Sequence, residues 1–196
     1  MSTNIGIFVF EGAEELDFAG PFEVLAAWAQ TWPDDDVEVF TLAQNPGVVR
    51  CAKGLRVEPQ HTWASAPELD VVVYPGGEGN RRHLGDEAIR EWLHNLQAGG
   101  TLMTSVCTGA LVYADAGLLD GRPATTHWMF FDQMQSLGKD IEARPDSRFV
   151  DDGEVVTSAG VSAGIDMALH LVARLHSIKR AKEVRRAIQY DPEPPV

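Results

Sequence analysis

The fold is decided by the stretch Thr101-Leu-Met-Thr-Ser-Val-Cys107-Thr-Gly-Ala-Leu-Val-Tyr-Ala-Asp-Ala-Gly117. Residues 101–106 form a short apolar and β-branched run after the breaker pair Gly99-Gly100, which predicts a buried strand. Small and apolar residues follow from Thr108 and stop at the final glycine, which predicts a helix with a glycine at its C-terminal end. Cys107 therefore lies where a strand turns sharply into a helix.

This position makes Cys107 a candidate nucleophile. A strand-to-helix turn projects its side chain over the end of the sheet, as the G-x-S-x-G elbow of serine hydrolases does. The helix N-terminus adds partial positive charge and unpaired N–H groups, so we expect the thiol pKa to lie below its ordinary value of about 8.5. The alternative is a buried, inert cysteine, because free cysteine is among the most buried residue types.

Length and charge limit the classes of function. The chain has 196 residues, of which 44% are hydrophobic, so residues 1–196 are expected to form a single domain. The formal net charge of −13 would repel nucleic acid and anionic membranes, so neither is an expected partner. With two cysteines, Cys51 and Cys107, no signal sequence and no membrane-spanning run, the chain is expected to be cytoplasmic.

Strands alternate with helices along the chain. The nearly continuous apolar run at residues 5–10 predicts a strand that is buried on both faces and so a parallel sheet. Further strands are predicted at residues 37–42, 70–74 and 101–106. Helices are predicted at residues 18–32, 86–97, 108–117, 129–137, 162–175 and 179–188, and hairpins at 48–59 and 149–157. Residues 191–195 are expected to be extended because they are rich in proline. This pattern predicts an α/β fold with a doubly wound, mostly parallel sheet.

Three loops should meet at the carboxyl edge of this sheet, where ligands bind in such folds. The first carries Glu14, Glu15 and Asp17, and a carboxyl beside a thiolate would stay protonated and serve as a general acid. Asp17 is equally suited to a helix N-cap, and the residues alone do not choose among the three acids. The third loop is the Cys107 turn itself.

The second loop is Pro75-Gly76-Gly77, whose N–H groups, together with that of Thr108, are candidates for an anion hole. A plain tight turn is the alternative. His127 is a candidate base for Cys107 or part of the pocket wall, although a packing histidine is the commoner case. The histidines and cysteines do not show the spacing of zinc ligands, so no metal is expected. The sequence has no Walker A motif and no G-x-G-x-x-G after a strand, so no nucleotide or other cofactor is expected.

Taken together, these motifs resemble the ThiJ/PfpI superfamily, from about residue 5 to residue 188. The resemblance depends on Glu11-Gly-Ala-Glu-Glu-Leu-Asp17, Val73-Tyr-Pro-Gly-Gly77, Ser105-Val-Cys-Thr-Gly109 and Thr125-Thr-His127. It implies a flavodoxin-like three-layer sandwich with a nucleophile elbow. The peptidase-like and glyoxalase-like branches of this superfamily usually have a histidine directly after the cysteine. In this chain that position is Thr108. Regulators with a similar N-terminal domain carry a further helix-turn-helix region, for which residues 179–196 are too short, so a DNA-binding regulator is not expected.

Within the superfamily, the isonitrile hydratase branch is the most similar. Asp17-Phe-Ala-Gly-Pro-Phe-Glu-Val, Cys107-Thr-Gly109 and Tyr190-Asp-Pro-Glu-Pro-Pro195 carry that resemblance. It implies Cys107 as nucleophile, Asp17 rather than Glu14 or Glu15 as its acidic partner, Thr108 as a site residue, and a homodimer. The implied reaction is cofactor-free hydration of isonitriles to N-substituted formamides through a thioimidate on the cysteine. Two alternatives are a glyoxalase or hydrolase of other small electrophiles, and a redox-sensing or regulatory dimer whose cysteine oxidises.

Overall fold

The computed structural model describes residues 2–191 of the chain. These residues are built around a mostly parallel β-sheet. The strands are β1 (Thr3–Phe8), β2 (Val37–Ala43), β3 (Val49–Arg50), β4 (Arg56–Val57), β5 (His61–Thr62), β6 (Val71–Tyr74), β7 (Leu102–Val106), β8 (Pro123–Ala124), β9 (Glu142–Ala143), β10 (Phe149–Asp151) and β11 (Val155–Ser158). Within these residues the central sheet has seven strands in the order β10-β11-β7-β6-β1-β2-β5. Only the edge strand β10 runs antiparallel to its neighbour.

Helices cover both faces of this sheet. They are α1 (Glu15–Thr31), α2 (Glu87–Ala98), α3 (Gly109–Asp115), α4 (Phe131–Leu137), α5 (Ala163–Leu175) and α6 (Ile178–Ala187). α1 connects β1 to β2, towards the β5 edge of the sheet. α2 connects β6 to β7, and α3 follows β7 on the way to β11, both towards the β10 edge. Right-handed crossovers therefore place α1 on the opposite face from those two helices. α1 packs against α5 and α6, and α3 packs against α4.

The core explains why the central strands are almost wholly apolar. β6 is buried along its whole length, and Phe8 and Tyr74 form an aromatic layer with Trp92 and Tyr113 from the helices α2 and α3. A strand with a helix layer on each face has no solvated side, so its side chains do not alternate with polar residues. The predicted flavodoxin-like α/β fold with a mostly parallel sheet is confirmed.

Most predicted elements are present, with shifted ends. Both hairpins are confirmed: β3 pairs with β4 and β10 with β11, each antiparallel. The two-residue strands β5 and β9 have no counterpart in the sequence pattern, because such short strands carry no periodicity. The predicted extended tail at residues 191–195 lies almost entirely outside the described residues. No helix among residues 2–191 has the length and apolar character needed to span a membrane.

Candidate active site

The turn between β7 and α3 holds Cys107 in a strained conformation. Its φ is +57°, in the left-handed region that non-glycine residues rarely adopt. The surrounding backbone fixes it: the Cys107 N–H lies 3.1 Å from the carbonyl oxygens of both Ser158 and Ala159. The Cys107 carbonyl accepts from Thr126 Oγ1 at 2.8 Å. Strain held in place by neighbouring bonds is common where a side chain must be aimed at a ligand.

A glycine directly after the turn lets the helix begin so close to the sheet. A Cβ at Gly109 would lie 2.4 Å from the carbonyl oxygen of Tyr74, the last residue of β6. Backbone atoms cannot move aside as a flexible side chain does, so a larger residue here would displace α3. The Cys-Thr-Gly sequence thus brings the thiol to the end of the parallel strands β6 and β7.

Asp17 comes to the same place from the other side. It is the third residue of α1, it is fully buried, and its Oδ2 accepts from the Gly76 N–H at 2.9 Å. The N-cap alternative is therefore wrong: Glu14 occupies the cap position, and Asp17 lies inside the helix. Its second oxygen, Oδ1, is buried without a conventional hydrogen-bond partner among the described residues. The carboxyl is thus available to the thiol.

The Cys107 thiol and the Asp17 carboxyl lie close enough for each to alter the pKa of the other. Burial is the main reason that the Asp17 pKa rises from 3.8 to about 7. Near neutral pH this carboxyl can therefore both give and accept a proton. Such a pKa is what acid–base catalysis at physiological pH requires.

The expected low pKa of Cys107 is wrong. Burial, and then the charge of Asp17, raise the pKa of the thiol from 9.0 to about 12. The N–H groups of Val161 and Thr108 point to the sulfur and lower this pKa, but by less than burial raises it. The pair therefore loses its first proton from Asp17, and the Asp17 carboxylate can then accept the proton of the Cys107 thiol.

The glycine pair does not form the predicted anion hole. The Gly76 N–H is bound to Asp17 Oδ2, and the Gly77 N–H donates to Thr108 Oγ1 at 3.0 Å. Both amides therefore hold the side chains of Asp17 and Thr108 and are not free to bind a substrate. A Cβ at Gly76 would lie 2.5 Å from Thr108 Oγ1 and 2.8 Å from Asp17 Oδ2, so only glycine fits between them.

A cavity of about 190 Å³ opens beside the thiol. Its wall combines apolar and polar residues; it is formed by Glu14, Gly77, Glu78, Asn80, Arg81, Leu84, Cys107, Thr108, Leu111, His127, Phe130, Gln133 and Val161. Asp17 is fully buried and is not part of this wall. The volume is enough for a small molecule beside the sulfur.

The remaining predicted site residues lie around this cavity. His127 is part of the wall, and its Nδ1 accepts from the Met129 N–H at 3.3 Å. Glu14 forms an ion pair with Lys53, and Glu15 Oε1 accepts from the Lys53 N–H at 2.6 Å. Both glutamates are therefore engaged by Lys53, whereas Asp17 is the acid that alters the pKa of the thiol.

Two residues of the site escaped the sequence analysis. Asn80 is buried and donates to Thr108, and Val161 directs its N–H to the sulfur from a backbone with φ +45°. The loop Gly76-Gly77-Glu-Gly-Asn80 gave the only signal for Asn80, a polar residue soon after the glycine pair. Val161 has no signal, because a left-handed valine is visible only in coordinates.

Among the described residues, no group of three or more His, Cys, Asp or Glu side chains could hold a metal ion.

Residues 3–174 match the DJ-1/PfpI family. The chain belongs to the DJ-1/PfpI family. A full-length relative is isonitrile hydratase of Pseudomonas putida, 37% identical over 195 residues, which cover 100% of this chain and 82% of the relative. The HTH-type transcriptional regulator CdhR of Pseudomonas aeruginosa is 29% identical, but the match covers 94% of this chain and only 54% of the regulator.

Solved structures of the DJ-1/PfpI family have the same fold. A ThiJ/PfpI family protein from Pseudomonas syringae superposes with a TM-score of 0.89 at 30% identity, covering 100% of this chain and 78% of that one. Drosophila melanogaster DJ-1beta superposes with a TM-score of 0.84 at 24% identity, covering 97% and 100%. The family therefore includes proteins with different names and roles, and the activity of this member has to be argued from its site.

Proposed function

We propose that this DJ-1/PfpI protein is an isonitrile hydratase, converting R–N≡C and water into an N-substituted formamide. The observation that carries the proposal is the buried Asp17–Cys107 pair beside a small cavity with an apolar side. The 37% identity with Pseudomonas putida isonitrile hydratase along the whole chain supports the same reaction class.

An isonitrile is chemically suited to this pair. Its terminal carbon both donates an electron pair and accepts a nucleophile, so it needs a proton and a sulfur at the same atom. A carboxyl with a pKa of about 7 next to a thiol supplies both. The isonitrile group is uncharged, and an alkyl R group could pack against the apolar lining residues Leu84, Leu111 and Phe130.

In the first step, the sulfur of Cys107 bonds to the terminal carbon. The proton shared by the pair passes through Asp17 to that same carbon. The product is a thioimidate, R–N=CH–S–Cys107, and Asp17 is left as a carboxylate. No oxidant, reductant or other reactant is consumed.

In the second step, water adds to the thioimidate carbon while Asp17 takes one of its protons and passes it to the nitrogen. The resulting adduct, R–NH–CH(OH)–S–Cys107, then breaks its carbon–sulfur bond. The hydroxyl proton returns to the Asp17–Cys107 pair, and the formamide leaves. One water is consumed per turnover, and the pair regains the proton count with which it began.

Turnover of butyl isonitrile, followed by proton NMR of the formyl group, tests the proposal. Wild-type protein should form the formamide, and in D₂O the formyl position should carry deuterium because its hydrogen passes through the exchangeable pair. Cys107→Ser and Asp17→Ala should each lose at least about 100-fold in kcat. Wild-type activity in either variant would exclude this mechanism.

Methylglyoxal and hydrogen peroxide serve as comparison reagents. Cys107-dependent turnover of methylglyoxal without isonitrile turnover would favour a glyoxalase. Selective oxidation of Cys107 by peroxide, without turnover of either substrate, would favour a redox-sensing protein. The high pKa of the thiol argues against ready oxidation, since the thiolate is the reactive form. The homodimer and the cytoplasmic location stay predictions.

A further inference from the structure

The Thr108 hydroxyl accepts two hydrogen bonds from fixed donors. Its Oγ1 lies 3.0 Å from the Gly77 N–H and 2.9 Å from Asn80 Nδ2. A hydroxyl offers one hydrogen and two acceptor positions, and both acceptor positions are used here. The hydroxyl hydrogen therefore has to point in a third direction.

The orientation of the Asn80 amide is determined by its second contact. Asn80 Nδ2 also lies 2.7 Å from the carbonyl oxygen of Thr108, which can only accept. The atom at this position must be the NH₂ group, because an amide oxygen there would face the Thr108 carbonyl oxygen with no hydrogen between them. Asn80 is 2% exposed, and its backbone is bonded to Gly77 and His83, so the amide has little freedom to turn.

Thr108 and Asn80 both line the cavity next to Cys107. Among residues 2–191, Thr108 Oγ1 accepts from Gly77 and Asn80 and donates to no protein acceptor. We infer that Thr108 donates its hydroxyl hydrogen into the cavity, and that Asn80 is the positioning residue that imposes this direction.

The role of this hydrogen in catalysis rests on the proposed function. The thioimidate nitrogen and the oxygen of the water adduct are both acceptors formed beside the sulfur. A donor at the nitrogen draws electron density from the C=N bond and promotes the addition of water. A preorganised donor of this kind contributes about 100-fold to 1000-fold in rate.

Four proteins test the inference with butyl isonitrile: wild type, Thr108→Val, Asn80→Ala and the double variant. Thr108→Val should lower kcat about 100-fold, and Asn80→Ala at least about 10-fold, with little change in KM. The double variant should be no slower than Thr108→Val, since the two residues act through one hydrogen. Thr108→Ser keeps the hydroxyl and should retain most activity.

Unchanged kcat in Asn80→Ala, or losses that multiply in the double variant, would overturn the inference. A purely structural role for Asn80 would give multiplying losses, because it would damage the site whether or not the hydroxyl is present. Asn80→Ser, which keeps a small polar group, replaces Asn80→Ala if that variant does not fold.

A second assay needs no isonitrile turnover, so it separates this inference from the proposed function. Butanal can add to Cys107: the sulfur bonds to the aldehyde carbon, and the thiol proton moves to the oxygen, which then accepts from Thr108. This reversible adduct should protect Cys107 from iodoacetamide. Protection should require about 10-fold more butanal in Thr108→Val and in Asn80→Ala than in wild type or Thr108→Ser. Absent protection of the wild type, or equal protection of all four proteins, would overturn the inference.

Discussion

Replacing Asp17 with asparagine should make the protein more stable at alkaline pH. The carboxyl is fully buried, and its pKa rises from 3.8 to about 7 on folding, mainly because burial disfavours the charge. An acid whose pKa is raised by folding destabilises the folded state as pH increases from the unfolded pKa to the folded one. A difference of one in pKa between the folded and unfolded states corresponds to about 1.4 kcal/mol. The free energy of unfolding is therefore lowered by about 4 kcal/mol at pH 7 and above.

The variant removes this penalty while keeping the shape of the side chain. The asparagine oxygen can still accept from the Gly76 N–H, which now binds Asp17 Oδ2 at 2.9 Å. At pH 4, where Asp17 is already neutral in the folded protein, the variant and the wild type should have similar stability. At pH 8 the variant should be more stable by up to about 4 kcal/mol.

Urea unfolding followed by tryptophan fluorescence at the two pH values measures this difference. Glu38→Gln is the matched control, because Glu38 is an exposed carboxyl on β2 and its replacement should change stability by less than about 0.5 kcal/mol. An Asp17→Asn variant whose stability relative to wild type is the same at pH 4 and pH 8 would refute the reasoning.

The same substitution should separate thiol reactivity from turnover. Without the Asp17 charge, the Cys107 pKa should fall, so iodoacetamide should alkylate the variant faster than the wild type at pH 8. Isonitrile turnover should nevertheless drop about 100-fold or more, because an amide cannot carry the proton. Slower alkylation together with full turnover would contradict the assigned role of Asp17.

Three further outcomes are expected. Gly76→Ala should lower kcat about 100-fold in a folded protein, because its Cβ would push apart Asp17 and Thr108; a wild-type kcat would contradict the geometry. Phe130→Ala should widen the cavity and raise kcat/KM for bulky relative to small alkyl isonitriles about 10-fold, measured by competition. Asp35 accepts from Arg180 and Trp28, each at 2.6 Å, and these bonds lower its pKa. Asp35→Asn should therefore cost about 1–3 kcal/mol at pH 7, a loss that shrinks as pH falls below 3.8, as urea unfolding at both values would show.

The sequence could predict much of the site because several of its residues lie next to strong local signals. Cys107 follows a buried strand, and two residues later comes Gly109, a position where no side chain fits. The elbow is therefore encoded within a few residues. The loops after β1 and β6 are also recognisable from the ends of apolar strands. The family resemblance then selected Asp17 among three nearby acids, a choice that the residues alone left open.

The roles of the glycine amides and the pKa of the thiol could not be predicted in this way. The Gly76 and Gly77 amides look free along the chain, but α1 and α3 bring Asp17 and Thr108 to them. The helix N-terminus favours a thiolate, yet the surrounding layers bury the sulfur and place a carboxyl beside it. Both effects depend on residues far apart in the chain.

The sequence by itself therefore determined the order of the main strands and helices, the parallel sheet and the position of the candidate nucleophile, because apolar runs and glycines act over short distances. Only the tertiary structure decided which partners each polar group has and how easily each one ionises. Hydrogen bonds and desolvation depend on what packs around a group, and here the packing joins Asp17, Asn80 and Cys107 from three separate elements.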